Sequence, residues 1–224
     1  MRYITFSFDD GFLDSTTKTA AIYERYGLQA EFNVVASSSL KSDHTNSNHA
    51  KFDFLNELQS RGHIIQPHGY NHTDKTKVAI NEAADLIDKC IEIFSENLDG
   101  FVAKSSIFCF PYNASNNEIE KYVSGKFRAF RTGYDKVINA VPNRNTKMIF
   151  GDGWPNVEEK IDRSIQELLK LENGWLVYNT HGLDGEGWEP ISSEFLKKTL
   201  ARLITYKYVK ILPMIKVLEE NENA

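Results

Sequence analysis

The chain has 224 residues, of which 41% are hydrophobic and 25% charged, with a formal net charge of −5 and a sequence pI near 5.7. Such a composition excludes a disordered or fibrous chain, and an acidic balance with scattered basic residues argues against a nucleic-acid partner, which needs a basic face. Its two cysteines, Cys90 on a helical pattern and Cys109 on a strand pattern, build no disulfide framework. No apolar run approaches the ~18 residues that cross a bilayer. The chain starts in a strand without a charged and apolar leader, so a cytoplasmic location is the default expectation. The oligomeric state is not legible.

In chain order, the first expected strand is YITFSFD (3–9), closed by Asp9, Asp10 and Gly11, and a weakly amphipathic helix follows over 15–26. QAEFNVV (29–35) reads as the second strand, and the polar run 37–49 after it as a lid, a rim or a plain loop. A helix over 51–61 leads to HIIQP (63–67). The clearest helix spans 78–98, where Ala83, Ile87, Cys90, Ile91, Phe94 and Leu98 form one apolar stripe at three- and four-residue steps. Further strands are expected at 106–110, 127–132, 147–150, 175–180 and 208–212, with helices at 156–171 and 192–206. The strands are short and several are apolar on both faces, as in parallel sheets. Strand alternating with helix some seven or eight times, with no linker, predicts one domain over 1–224. Closure into a TIM-like barrel removes the sheet edges; an open doubly wound sheet is the fallback.

In either architecture the chemistry sits at the carboxyl ends of the strands. Those ends carry Asp9 and Asp10, then His68 and His72 in HGYNH, then Pro111 and Tyr112, then Asp135, then His181. One carboxylate and two imidazoles form a facial set for a divalent metal, and the two rings of an H-x-x-x-H share a side if the segment turns helically. If Asp10 binds the ion, its charge makes the neighbouring carboxylate tolerable and frees Asp9 to take a proton from water. Gly11 lets the backbone turn sharply away. His44, His49 and His63 have no such context and are expected on the surface or in loops. Cys109, in an apolar strand, reads as an inert buried thiol rather than a nucleophile.

These residues resemble the polysaccharide deacetylase family, also called carbohydrate esterase family four or the NodB-homology domain. Its T-F-D-D-G motif is matched by Phe8-Asp9-Asp10-Gly11 and its H-S/T-x-x-H motif by His68 to His72. The resemblance implies a distorted (β/α)7 or (β/α)8 barrel. It implies that Asp10, His68 and His72 hold a divalent metal, zinc first, with cobalt or nickel as alternatives. It further implies that Asp9 is the general base, that the backbone N–H of Tyr112 after Pro111 stabilises the oxyanion, and that His181 protonates the leaving amine. The activity implied is hydrolysis of an N-acetyl group on an amino sugar or glycan.

Three departures stand out. Gly69 occupies the place of the family's serine or threonine, and Cys109 that of the arginine that pairs with the catalytic base. Arg131, in the otherwise apolar FRAFRT, is expected to supply that guanidinium from the neighbouring strand. The family's aspartate that tunes the histidine has two candidates, Asp135 and Asp152. Trp154 and Trp188, in long loops after strands, are expected sugar platforms. Two other functions remain open: hydrolysis of another, cyclic amide on the same fold, or carbohydrate binding by a catalytically weakened relative.

Overall fold

The computed structural model describes residues 1–40, 48–133, 138–153, 155 and 157–222. Among them are nine strands: β1 (Arg2–Asp10), β2 (Glu31–Val34), β3 (Ile64–Pro67), β4 (Ile107–Cys109), β5 (Ala129–Thr132), β6 (Ile138–Asn139), β7 (Met148–Phe150), β8 (Gly174–Thr180) and β9 (Val209–Ile211). The α-helices are α1 (Leu13–Arg25), α2 (Phe52–Ser60), α3 (Ile80–Asn97), α4 (Asn117–Lys126), α5 (Glu158–Lys170), α6 (Ser193–Leu203) and α7 (Met214–Glu220). Every strand and helix expected from the sequence is present within a few residues of its expected ends. None of these helices is long and apolar enough to cross a membrane.

Strand order β3-β2-β1-β8 is continuous and parallel, as is β4-β5-β7. Two seams join these halves into a distorted barrel. Between β7 and β8, Asp152 bridges to Tyr178 above, while β6 pairs antiparallel with β8 below and Asn139 bonds to Phe150 through both its amide atoms. Between β3 and β4 the connection is made by side chains: the Ile107 N–H donates to Gln66 Oε1 at 2.9 Å, and His68 Nδ1 lies 2.9 Å from the Cys109 carbonyl.

Period-two alternation sorts the core into two shells. Ile4, Phe6 and Phe8 of β1 face outward, in one cluster with Leu55, Ile87, Phe94, Ile165 and Leu200 from the surrounding helices. Tyr3, Ile107, Cys109, Ala129, Ile149, Trp175 and Val177 face inward and form a second cluster with Met214, Ile215, Val217 and Leu218 of α7. Sequence periodicity missed α7 because four of its seven residues are buried, leaving little polar face to give a stripe. It also missed α4, although Asn116 caps that helix by accepting from Ile119 N at 3.2 Å. His63 is likewise not a surface residue: it is 1% exposed, packs edge-on against Phe32, and accepts from the Ala30 N–H at 3.0 Å.

One buried acid ties α7 to the barrel. Glu31, at the start of β2, accepts from the Met214 N–H at 2.6 Å. Burial pushes its carboxyl from the ordinary 4.5 up to about 8. The neutral acid is therefore the form the fold prefers, and its stabilisation is complete below the unfolded value and lost as pH rises through the folded one. Glu31→Gln keeps an acceptor for Met214 and removes the titration. Its melting temperature relative to wild type should climb as pH rises from 4.5 to 8, followed by calorimetry; a pH-independent difference would contradict the assignment.

Candidate metal centre and active site

At the tip of β1 the backbone turns into the left-handed region: Asp10 has φ 71° and Gly11 φ 80°, and a Cβ at Gly11 would stand 2.9 Å from Val34 Cγ1. This turn separates the two aspartates. Asp9 points into the barrel and is 2% exposed, whereas Asp10 faces His68 and His72. The segment from His68 to His72 is not helical. Gly69 at φ 85° and His72 at φ 59° fold it back so that the two imidazole centroids lie 5.0 Å apart.

Asp10 Oδ1 lies 3.3 Å from His72 Nε2 and 3.6 Å from His68 Nε2. Two donors at 2.0–2.2 Å from one tetrahedral ion are separated by about 3.3–3.6 Å, so the spacing fits zinc-like coordination. Asp10 Oδ1 is also buried and has no hydrogen-bond partner among the described residues, as a metal-ligand atom would be. His68 Nδ1 is engaged with the Cys109 carbonyl, which leaves Nε2 for an ion. Burial depresses the His68 imidazole to about 3, and it depresses His72 as well, so both rings are neutral and able to ligate. Burial and the adjacent Asp9 charge push the Asp10 carboxyl up to about 6, a repulsion that a divalent cation relieves.

Asp9 is held by Arg131, which is fully buried. Nη1 donates to Asp9 Oδ1 at 2.8 Å and Nη2 to Oδ2 at 2.6 Å, a two-pronged charged pair. Asn33 Nδ2 adds a bond to Oδ1 at 2.7 Å, and Ser7 Oγ accepts from Arg131 Nη1 at 2.8 Å. Burial alone would raise the Asp9 carboxyl, but Arg131, with help from His68, holds it well below the usual carboxylate range. Sheet register explains the source of the guanidinium: Cys109 on β4 is paired with Arg131 on β5, so the charge enters at the same height from one strand over. Cys109 is itself fully buried, with its thiol pushed well up by burial, and serves the site through its carbonyl.

Asp9, Asp10 and His72 open into a cavity of about 480 Å³ walled by Tyr112, Asn113, Asn179, His181 and Trp188. Tyr112 sits at φ 59° directly after Pro111, its ring 4.6 Å from that of His72, and its amide N–H finds no carbonyl acceptor among the described residues. His181 follows β8 with its ring 5.1 Å from that of Trp188. His181 Nδ1 is buried and has no hydrogen-bond partner among the described residues, and Asp152 pairs with Lys160 at 2.7 Å. Asp135, Trp154 and His44 lie outside the described residues. His49 packs on Phe12 at 4.9 Å and lines a second cavity that shares Asp10 and His72, a role its sequence context did not signal. Sequence reading also passed over Asn33 and Asn179, whose signal was an uncharged amide inside a strand apolar on both faces.

Removing the guanidinium leaves a buried carboxylate without its counter-charge. Arg131→Met should therefore lower the unfolding free energy by about 3–5 kcal/mol in urea titrations, with much of that recovered in the Asp9→Asn/Arg131→Met double variant. A loss below about 1 kcal/mol, the size of an exposed ion pair, would contradict the buried geometry.

Comparison with known proteins follows the same lines. Residues 1–126, more than half the chain, match the model of the polysaccharide deacetylase family. No curated protein matches the chain significantly. Among solved structures, a peptidoglycan N-acetylglucosamine deacetylase in complex with a naphthalenyl N-hydroxybenzamide is 20% identical, with a TM-score of 0.69 over 98% of this chain and 90% of that one. The family 4 acetyl xylan esterase of Clostridium thermocellum, in complex with a cobalt ion, is 15% identical, with a TM-score of 0.66 over 96% and 90%. A pseudoenzyme of the same esterase family from Bacillus anthracis is 14% identical, with a TM-score of 0.67 over 99% of this chain and 66% of that one. At these identities the likeness is one of fold. With the family model and the fold in agreement, the chain belongs to the polysaccharide deacetylase family, hydrolases of non-peptide carbon–nitrogen bonds.

Proposed function

We propose that this protein is a metal-dependent hydrolase that removes the N-acetyl group from an amino sugar or N-acetylated glycan, with 1–224 acting as one barrel domain. The observation that carries this reading is the side-by-side placement of two differently used carboxylates: Asp10 among two neutral imidazoles, and Asp9 locked on Arg131, both opening into one cavity. Asp10 Oδ1, His68 Nε2 and His72 Nε2 are the atoms that would hold the ion, zinc first, with cobalt or nickel as alternatives; cobalt accompanies the Clostridium thermocellum relative. When bound, a divalent ion supplies Lewis acidity toward water and a carbonyl oxygen.

The chain's own residues account for the rest. Asp9, kept ionised by Arg131, accepts the proton of the attacking water. A carboxylate held so low is a weak base and would depend on the acidity that an ion held by Asp10, His68 and His72 would lend the attacking water. The Tyr112 N–H faces the developing oxyanion, a contact whose loss commonly costs 10²–10³-fold in such sites. His181 returns a proton to the amine nitrogen as the carbon–nitrogen bond breaks. Tyr112 and Trp188 offer the apolar surface on which a sugar ring packs, being 66% and 48% exposed, whereas Pro111, directly before Tyr112, is buried and does not line the cavity as expected of a substrate contact. The same aromatic wall would serve a carbohydrate-binding protein without turnover, but the Asp9–Arg131 pair, costly to bury, favours hydrolysis.

Elemental analysis of the purified protein and acetate release from N-acetylglucosamine oligomers test this together. The expected result is one bound divalent ion per chain, and release abolished both by Asp9→Asn and by chelation. A metal-loaded protein that releases no acetate from the oligomers would contradict the substrate; a protein that takes up no metal would contradict the centre.

A further inference from the structure

Two asparagines line the cavity, and neither the metal centre nor the proton-transfer groups account for them. Asn179 points inward from β8 and is 4% exposed; Asn113 stands in the turn after Pro111; and Asn113 Nδ2 donates to Asn179 Oδ1 at 3.1 Å. Both residues line the cavity beside Asp9, Asp10 and His181. Asn113 Oδ1 is buried and has no hydrogen-bond partner among the described residues.

Neither side chain is loosely placed. Asn113 is held in the left-handed region at φ 51°, its N–H donating to the Phe110 carbonyl at 3.1 Å and its carbonyl accepting from Gly133 N at 2.8 Å and Thr132 Oγ1 at 3.1 Å. A Cβ at Gly133 would come within 2.9 Å of Asn113 Cβ, and one at Gly153 would collide with the Asn179 amide. Two glycines thus leave the space that two asparagines fill, and the couple is fixed before any ligand arrives.

We propose that Asn113 and Asn179 together recognise a hydroxyl group of the substrate. Their mutual bond uses one donor and one acceptor, leaving one amide oxygen and one amide nitrogen for a ligand. Turning both amides over exchanges their roles but leaves the same complement. A hydroxyl donates and accepts through a single small atom. A methyl leaves both groups unmatched, and a carboxylate or an ammonium leaves one. The hydroxyl belongs either to the sugar ring next to the N-acyl substituent or to the acyl group itself. This inference rests on the N-acylated sugar reading above and narrows its substrate.

The test uses three disaccharide probes: di-N-acetylchitobiose, its 3-deoxy counterpart, which lacks the ring hydroxyl, and its N-glycolyl counterpart, which adds an acyl hydroxyl. Binding to the chelator-treated full chain is followed by calorimetry, and acid release by the zinc-loaded protein is followed separately. A ring-hydroxyl site should bind the parent at least about tenfold more tightly than the 3-deoxy probe, and an acyl-hydroxyl site the N-glycolyl probe more tightly than the parent by a similar factor. Either preference should vanish in Asn179→Leu and in Asn113→Gly, the latter tolerating the left-handed backbone, with melting temperatures close to wild type. Absence of any preference, a preference that survives both substitutions, or no binding of any probe overturns the proposal. A preference without acid release instead sinks only the hydrolase reading, and release without preference sinks only the amide couple.

Discussion

A fully buried guanidinium facing a buried carboxylate is the constraint around which this protein is arranged. Taking Arg131 and Asp9 out of water costs several kcal/mol for each ion, and the low-dielectric attraction repays it only when geometry is good and the remaining donors and acceptors are matched. The geometry is good, with contacts of 2.6 and 2.8 Å, and Asn33 and Ser7 take up neighbouring bonds, while Arg131 Nε is a buried donor without a partner among the described residues. The consequence is a carboxylate that stays charged in a site where burial would otherwise neutralise it. A second carboxylate next to a charged one is tolerable only with positive charge close by, and two neutral imidazoles converge on the oxygen where that charge belongs. Asp9 is paired with Arg131 and Asp10 faces two neutral imidazoles, so the two adjacent acids do not compete for one partner.

The backbone bears its share of the cost. Asp10, His72, Tyr112 and Asn113 all hold left-handed conformations without being glycine, and all four line the same cavity. Each such residue costs on the order of 1–3 kcal/mol and persists only where its surroundings over-determine it. Here the strain turns carboxylate, imidazole, amide N–H and amide side chain inward from the ends of three strands, β1, β3 and β4, which regular strands and helices alone would not do. His68 has a second place in the structure: its ring spans the seam between β3 and β4 through Nδ1 and turns Nε2 toward Asp10.

Much of this was legible in the sequence because it depends on period and position. Alternating strands and helices gave the barrel, and ionisable residues just after strands gave Asp9, Asp10, His68, His72 and His181. Arg131 was visible as a charge in an apolar strand, and its register with Cys109 supplies the physical reason that an arginine can move one strand sideways without changing height. Other features depend on context that a linear pattern does not carry. The HGYNH segment was readable as helical, yet its rings meet through positive-φ turns. His63 does lie in a connection, but nothing local shows that Phe32 and the Ala30 amide enclose it there rather than leaving it on the surface. α7 lacks a polar stripe because it lies inside the barrel end, and the Asn113–Asn179 couple joins two residues 66 positions apart.

Anomalous scattering at the zinc absorption edge, from crystals grown with that metal, tests the central claim most directly. We expect one peak about 2.0–2.2 Å from Asp10 Oδ1, His68 Nε2 and His72 Nε2, with Asp9 uncoordinated and still paired with Arg131. A peak placed elsewhere, or an ion that draws Asp9 into its coordination sphere and displaces the guanidinium, would contradict the division of roles between the two aspartates.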